Sequence, residues 1–397
     1  MLNRVNNRRI KKMSKKYLIL VLLTFAAITA NLFATESRMD AMGGMYGYTP
    51  DNTDIFLYPG AIYNYNKFVT CEMRNSSDNT WSIGANLPLQ QGMILGVYFN
   101  QPTGIDIDPF FSNHSDYSYG DLDISKKLDV ILGIKQGLAF GIGLAGSSFS
   151  PYKDLKESAD YLDLKAGMST DKYDMGVILT LPFGKVENSG TKEKLTFFDM
   201  GLNLNGRMYL IQKPGWTLYG LGNIGFNSNT GKYTPSQEDK STNPKITQST
   251  IDLNLGLGIN YDVAKNTLLV LGVRPIGLEL YSEKMTPGKY KFSSTDLIIP
   301  EYKVGLEAQV LPWLVLRAGA TETYTMYSVK EDDSDGTEVE NGSEYYSNFN
   351  SQVGMGMKFK NLTLDTVLNK QFLFDGPDAV GGTAPGFNSK LSLGYKF

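Results

Sequence analysis

The chain has 397 residues, with 38 Lys and Arg, 41 Asp and Glu, one His and one Cys. One cysteine excludes an intrachain disulfide framework, and one His with one Cys cannot complete a His/Cys zinc site, which needs about four ligands. Seven of the basic residues precede the first acid, Glu36; without them 31 basic residues face 41 acidic ones, a net charge of −10 that lacks the footprint of a nucleic-acid binder.

Those seven are Arg4, Arg8, Arg9, Lys11, Lys12, Lys15 and Lys16. An apolar run follows from Tyr17 to Ile28, then small residues at Ala30 and Ala34. This order is that of a secretory signal peptide. Residues 1–34 are expected to be removed after Leu32-Phe33-Ala34, leaving a mature chain from Thr35.

From residue 60 onward the dominant signal is alternation with period two. Ile251, Leu253, Leu255, Leu257, Ile259 and Tyr261 share one face, and Asp252, Asn254, Gly256, Gly258, Asn260 and Asp262 share the other. Phe198 to Asn205, Pro300 to Val310, and Phe349 to Phe359 repeat the pattern. A soluble β-sandwich also alternates, but its strands usually run about five or six residues, and these run about ten or more. Paired segments are expected near 122–134/137–149, 159–168/172–182, 196–211/214–227, 249–263/266–282, 297–310/312–326 and 346–359/361–372, with tight links such as Lys213-Pro214-Gly215. Long polar loops are expected near 100–120, 150–158, 184–195, 228–248, 283–296, 327–345 and 373–387.

Short turns at one end and long loops at the other describe an outer-membrane barrel. With a first strand near 60–74, a hairpin at 79–86 and 91–99 and a last strand at the C-terminus, the count is about sixteen, with fourteen as the alternative. The expected fold is all-β, a transmembrane antiparallel β-barrel of about 14–16 strands, in the outer membrane of a Gram-negative bacterium. Such a sheet must close, because an open edge in hydrocarbon leaves backbone groups unpaired at several kcal/mol each. Trp216, Trp313 and Tyr395 are expected at the interfacial girdles.

The chain ends with Leu391, Leu393, Tyr395 and Phe397 on one face of the last strand. This resembles the terminal signal by which outer-membrane barrels are recognised by their assembly machinery. That machinery and outer-membrane lipid are the expected partners.

Residues 36–60 break the alternation. Glu36-Ser37-Arg38-Met39-Asp40-Ala41-Met42-Gly43-Gly44 leads to Asp51-Asn52-Thr53-Asp54-Ile55-Phe56-Leu57-Tyr58-Pro59-Gly60. The succession of Ser-Arg, a Gly-Gly stretch, Asp-x-x-Asp, an aromatic and Pro resembles the N-terminus of the long-chain fatty-acid transporter superfamily, which includes barrels associated with type IX secretion. Tyr58-Pro59-Gly60 stands where that family commonly has Asn-Pro-Ala. The resemblance implies a hatch or plug over 35–59, with Gly43, Gly44, Asp51, Asp54 and Pro59 near the lumen of a barrel over 60–397, and a hydrophobic small-molecule ligand. Independently, a barrel of fourteen or more strands is too wide for its own side chains to fill.

Lumen-facing charges are expected at Asp123, Lys127, Asp129, Asp163, Lys165, Asp199, Arg207, Asp252, Glu301, Lys303, Glu307 and Arg317. Both signs occur, whereas a strongly selective ion pore shows a ring of one sign. The acidic stretch 331–340 contains Asp333-Ser334-Asp335-Gly336 but places Gly342 where a calcium loop needs its bidentate Glu. His114 lacks a Gly-x-Ser-x-Gly elbow nearby. No catalytic residue, metal site or cofactor is expected. Arg274-Pro275 interrupts a strand and marks a bulge. The expected function is a channel for hydrophobic or small molecules past the hatch; the alternative is a non-transporting or secretion-associated barrel that anchors a partner.

Overall fold

The computed structural model describes residues 35–74, 81–104, 123–134, 137–190, 192–234, 245–286, 290–332, 336–368 and 388–397. The expected signal peptide over residues 1–34, His114 and Asp333–Asp335 lie outside them. Among the described residues sixteen strands form one closed antiparallel barrel. They are β1 (Phe68–Arg74), β2 (Trp81–Pro88), β3 (Ile94–Pro102), β4 (Lys126–Ile134), β5 (Leu138–Tyr152), β6 (Leu155–Ser169), β7 (Tyr173–Asn188) and β8 (Glu193–Lys213). The second half comprises β9 (Trp216–Thr234), β10 (Lys245–Ala264), β11 (Thr267–Thr286), β12 (Lys291–Leu311), β13 (Leu314–Asp332), β14 (Glu338–Phe359), β15 (Leu362–Leu368) and β16 (Asn388–Lys396). The ring closes where β1 pairs with β16, from Phe68 opposite Lys396 to Arg74 opposite Lys390.

The alternation sets the two faces. Phe198, Met200, Leu202 and Leu204 are exposed on the outside, and the intervening Asp199 and Gly201 are buried inside. Leu393 and Tyr395 of the terminal strand, and Phe397 just past it, are also exposed on the outside.

Several expected loops are strand. Residues 150–158 form the tight end of the β5–β6 hairpin, with Leu155 to Ser158 already paired to β7, and 184–188 pair with 193–197. Most of 283–296 and 327–345 belongs to β11–β14. The 22 residues of β14 extend about 75 Å along the strand at about 3.4 Å each. That exceeds an apolar band about 25 Å tall even with a tilt near 45°. Polar sequence here marks departure from hydrocarbon, while the backbone ladder continues into water.

The expected first strand also begins later. Pro59–Tyr65 is a 3₁₀ helix, and pairing starts at Phe68 after Lys67, whose φ is +56°. Pro59 occupies the first helical turn, where its missing N–H costs nothing. Before it lie a six-residue helix α1 (Glu36–Ala41), capped by Thr35, and a 3₁₀ helix at Asn52–Phe56. The Asp-x-x-Asp motif forms a reciprocal cap: Asp51 accepts from the Thr53 N–H at 2.9 Å, and Asp54 accepts from the Asp51 N–H at 3.1 Å.

Candidate functional site at the barrel lumen

Residues 35–66 follow the inner wall almost strand by strand. Ser37 receives its contact from β16, where the Ser392 hydroxyl accepts its N–H at 3.1 Å, and Thr35 donates to Asp365 of β15 at 2.9 Å. Gly43 accepts from Thr321 of β13 at 2.8 Å, and the Tyr48 carbonyl accepts from Tyr219 of β9 at 2.6 Å. Asp54 meets Arg207 of β8 at 2.8 Å. Ile62 packs in a buried cluster with Ile94 of β3, Ile131 of β4 and Ala139 of β5. Tyr65 accepts from Asn86 of β2 at 2.9 Å, and the chain then enters β1.

Glycines on the inner face make room for this circuit. A Cβ on Gly176 would overlap the Leu57 carbonyl, and one on Gly319 would overlap the Met42 backbone. On Gly272 it would stand 2.7 Å from the Tyr48 ring, and on Gly167 2.5 Å from Pro59. The polar-face glycines of the sequence pattern are therefore largely seats for the N-terminal segment. Gly43 and Gly44 themselves have φ of +83° and +72°, which only glycine adopts freely.

Two kinds of contact hold the segment. Met39, Met42, Met45, Ile55 and Ile62 are all at most 1% exposed. Each such side chain contributes about 1.5–3 kcal/mol by burial. Buried ion pairs roughly break even against apolar groups of the same shape but are costly to break. Apolar burial thus supplies most of the affinity, and the ion pairs set the register.

The first ion-pair group centres on Glu307, which accepts from Arg38 at 2.7 Å and from Arg317 at 2.6 Å; Arg317 also reaches Asp365 at 2.7 Å. In the second, Arg207 binds Asp54 at 2.8 Å and Asp174 at 2.7 Å, and donates to the Gly47 carbonyl at 3.2 Å. In the third, Glu36 bridges Arg74 of β1 and Lys390 of β16. Burial pushes the Asp51 carboxyl up to about 7, against the opposing pull of Arg38 at 3.5 Å. Burial also raises Asp54, with Arg207 opposing it. At Glu36 burial acts upward as well, but Arg74 and Lys390 outweigh it and the carboxyl lies below its ordinary value.

The segment and the wall border an open cavity of ≈330 Å³. Tyr46, Tyr48, Leu57 and Tyr58 line it from the segment, and Asn205, Asn223, Asn254, Arg274, Glu301 and Lys303 line it from the wall together with Leu221 and Leu255. Asn223 donates to Asn205 at 2.9 Å, Asn254 to Asn223 at 3.3 Å, Arg274 to Asn254 at 2.8 Å and to Glu301 at 2.7 Å. Lys303 donates to the Gly44 carbonyl at 3.3 Å.

Of the residues singled out from sequence, Gly43, Gly44, Asp51, Asp54 and Pro59 meet the wall or cap the segment, and Arg207, Glu307 and Arg317 hold it. Glu301 and Lys303 line the cavity, and Lys303 also bonds the segment at the Gly44 carbonyl. Asp199 stands apart, accepting from Asn227 at 3.2 Å. Lys127, Asp129, Asp163 and Lys165 form a separate buried ion-pair lattice on β4 and β6. Asp123 is a correction: it precedes β4, is exposed, and bonds Ser125 in a turn. Leu391, Leu393 and Tyr395 belong to the terminal strand, with Phe397 just past its end, away from the cavity. Among the acidic stretch, Glu331 and Asp332 end β13 and Glu338 opens β14, where it faces Lys330 at 3.5 Å.

Arg38, Asp174, Asp365, Arg74, Lys390 and Glu36 were not singled out as ion-pair partners. A lone Arg in a six-residue helix carries no local signal of a partner 269 residues away. Arg274 was visible as a bulge beside proline but not as a cavity cation.

A family profile described as an outer membrane protein beta-barrel domain matches residues 133–297. No curated protein matches the chain. Among solved structures, the CymD monoaromatic hydrocarbon channel is similar at 11% identity, over 92% of this chain and 98% of that one, with a TM-score of 0.38. BauA, the ferric preacinetobactin receptor of Acinetobacter baumannii, is similar at 9% identity, over 83% and 80%, with a TM-score of 0.32. OmpT, an outer membrane protein of Vibrio cholerae, is similar at 11% identity, over 83% and 95%, with a TM-score of 0.33.

Proposed function

From its place as a closed β-barrel of the Gram-negative outer membrane, we propose that the chain is a conduit for small molecules, closed at its short-turn end by residues 35–66 acting as a hatch. The observation that carries this reading is the circuit of the segment on the glycine seats. Its wall partners, such as Gly133, Gly167, Gly176, Glu307 and Asp365, lie toward the ends of strands joined by short turns. A segment that only led into β1 would have no need of seats on the opposite wall.

The likeness of residues 36–60 to fatty-acid transporter barrels supports a hatch. The lining of the cavity supports a different cargo, because amides, phenols and charged groups would each have to be desolvated against an alkyl chain. Leu57, Leu221 and Leu255 supply apolar surface beside these groups, so small molecules that combine polar groups with some apolar surface fit the site better than plain alkyl chains.

The test is planar-bilayer conductance of the mature chain beside a variant lacking Thr35 to Tyr58, with heat-modifiable migration confirming that both fold. A silent parent and large steps in the deletion support the hatch. Equal conductance in the two removes it. If neither conducts, the anchoring barrel that transports nothing becomes the better reading.

A further inference from the structure

We infer that the lumen cavity binds a small organic carboxylate, with Arg274 and Lys303 as its cationic partners. The inference rests on the conduit reading and names the class of molecule that the conduit would recognise.

Charge balance is the first argument. Among the described residues that line the cavity Glu301 is the only carboxylate, and it serves both cations, meeting Arg274 at 2.7 Å and Lys303 at 3.5 Å. The lining thus carries one positive charge in excess. A monocarboxylate would neutralise it and turn a shared acceptor into two complete ion pairs. Donor capacity is the second argument. Arg274 places Nη1 on Asn254 and Nη2 on Glu301, but its buried Nε has no partner among the described residues. Lys303 has three donors, and two are used, on Glu301 and the Gly44 carbonyl. A buried donor without an acceptor is costly, so Arg274 favours a further acceptor, and Lys303 has a third donor to share with it.

The backbone is the third argument. Pairing of β10 with β11 shifts register between Leu255 and Leu257, and β11 leaves β12 after Arg274 and rejoins at Gly277. Bulges re-aim side chains and recur beside functional sites; this one sets Arg274 in the cavity lining beside Pro275. The volume of ≈330 Å³ lies within the range of small-ligand pockets.

The wall also limits the charge of the ligand. One step further along the strands Asp252 stands directly opposite Glu279, and Glu279 opposite Asp296. Three facing carboxylates repel a second negative charge. A molecule with one carboxylate and a hydroxylated remainder suits the Asn and Tyr lining; a dianion does not.

A matched series tests this: sorbitol, gluconate and glucarate share six carbons and carry zero, one and two carboxylates. Binding to the refolded whole chain is measured by titration calorimetry at low ionic strength. Gluconate is expected to bind more tightly than either of the others, and Arg274→Gln and Lys303→Gln each to weaken it by about tenfold or more. Glutamine keeps a polar side chain at each position, and unchanged heat-modifiable migration reports an intact barrel. Equal binding of sorbitol and gluconate overturns the proposal, as does gluconate affinity unaltered in both variants. Calorimetry needs no flux. Gluconate that binds but does not cross liposomes supports the site and condemns the conduit; gluconate that crosses without this binding condemns the site and leaves the conduit standing.

Discussion

Arg207 of β8 donates to Asp54 of the N-terminal segment at 2.8 Å, and each side chain is only 2% exposed. The pair joins positions 153 residues apart in sequence. Asp174 shares the same guanidinium at 2.7 Å, and the rings of Tyr58 and Tyr209 flank it at 5.1 and 5.6 Å. Arg207→Met therefore leaves two buried carboxylates unpaired, at a cost of about 3–5 kcal/mol. Denaturant unfolding should show that loss. Adding Asp54→Asn to Arg207→Met should recover part of it, because one orphaned charge disappears. Strictly additive losses would mean that the two residues act independently.

This relationship also shows where sequence reasoning reaches its limit. The outward face was legible because lipid imposes one rule on every second residue, and Phe198 to Leu204 obey it. The sixteen-strand count was legible because short turns recur at regular intervals. The strand ends were not, since β11 to β14 continue with polar residues after leaving the hydrocarbon. The inner glycines were visible, but Gly176 and Gly319 acquire meaning only beside Leu57 and Met42. Asp54 and Arg207 could be nominated separately as lumen groups; their pairing is a property of the closed ring.

The glycine seats can be tested one at a time. Gly176→Ala and Gly319→Ala place a methyl group into the backbone of the segment, and neither carbonyl nor peptide can yield as a flexible side chain would. The segment should be displaced, and trypsin should cut at Arg38 far faster than in the parent. Gly206→Ala is the control, since its Cβ would meet nothing nearer than 3.9 Å. In a chain lacking Thr35 to Tyr58 the same substitutions at 176 and 319 should be neutral, or stabilising by about 0.5–1 kcal/mol, as Ala replaces Gly within a strand. Equal destabilisation with and without the segment would show that these glycines serve the sheet alone.

Glu36 ties the first strand to the last. It accepts from Arg74 Nε at 2.9 Å on β1 and from Lys390 at 3.3 Å on β16, across the pairing that closes the ring. Glu36→Gln should lower barrel stability by about 1.5–3 kcal/mol, the range for hydrogen bonds to charged groups. The readout is the temperature at which the folded band is lost in heat-modifiable electrophoresis. Asp40→Asn touches Lys390 and Tyr46 but not β1, and should cost less. If the two substitutions lower the temperature equally, the bridge across the seam has no special part in closure.

Asp51 should make seating of the segment depend on pH. Its carboxyl is fully buried and titrates at about 7, against an ordinary value of 3.8, because burial outweighs the attraction of Arg38. The neutral form is therefore favoured in the seated state. Its contribution is fully present below pH 3.8 and is lost as pH rises through about 7. Glu36 runs the other way, with a lowered value, and its contribution fades only as pH falls below the ordinary range near 4.5. Between pH 5.5 and 8.5 the Asp51 effect is thus separated from that of Glu36, while Asp54, which is also raised, adds in the same direction. Cleavage at Arg38, corrected for the intrinsic pH dependence of the protease on a peptide substrate, should speed up across this window in the parent. Asp51→Asn should flatten the response. A response of the same size in that variant would move the titrating group to Asp54, and a parent that seats more tightly at high pH would contradict the assignment for both carboxyls.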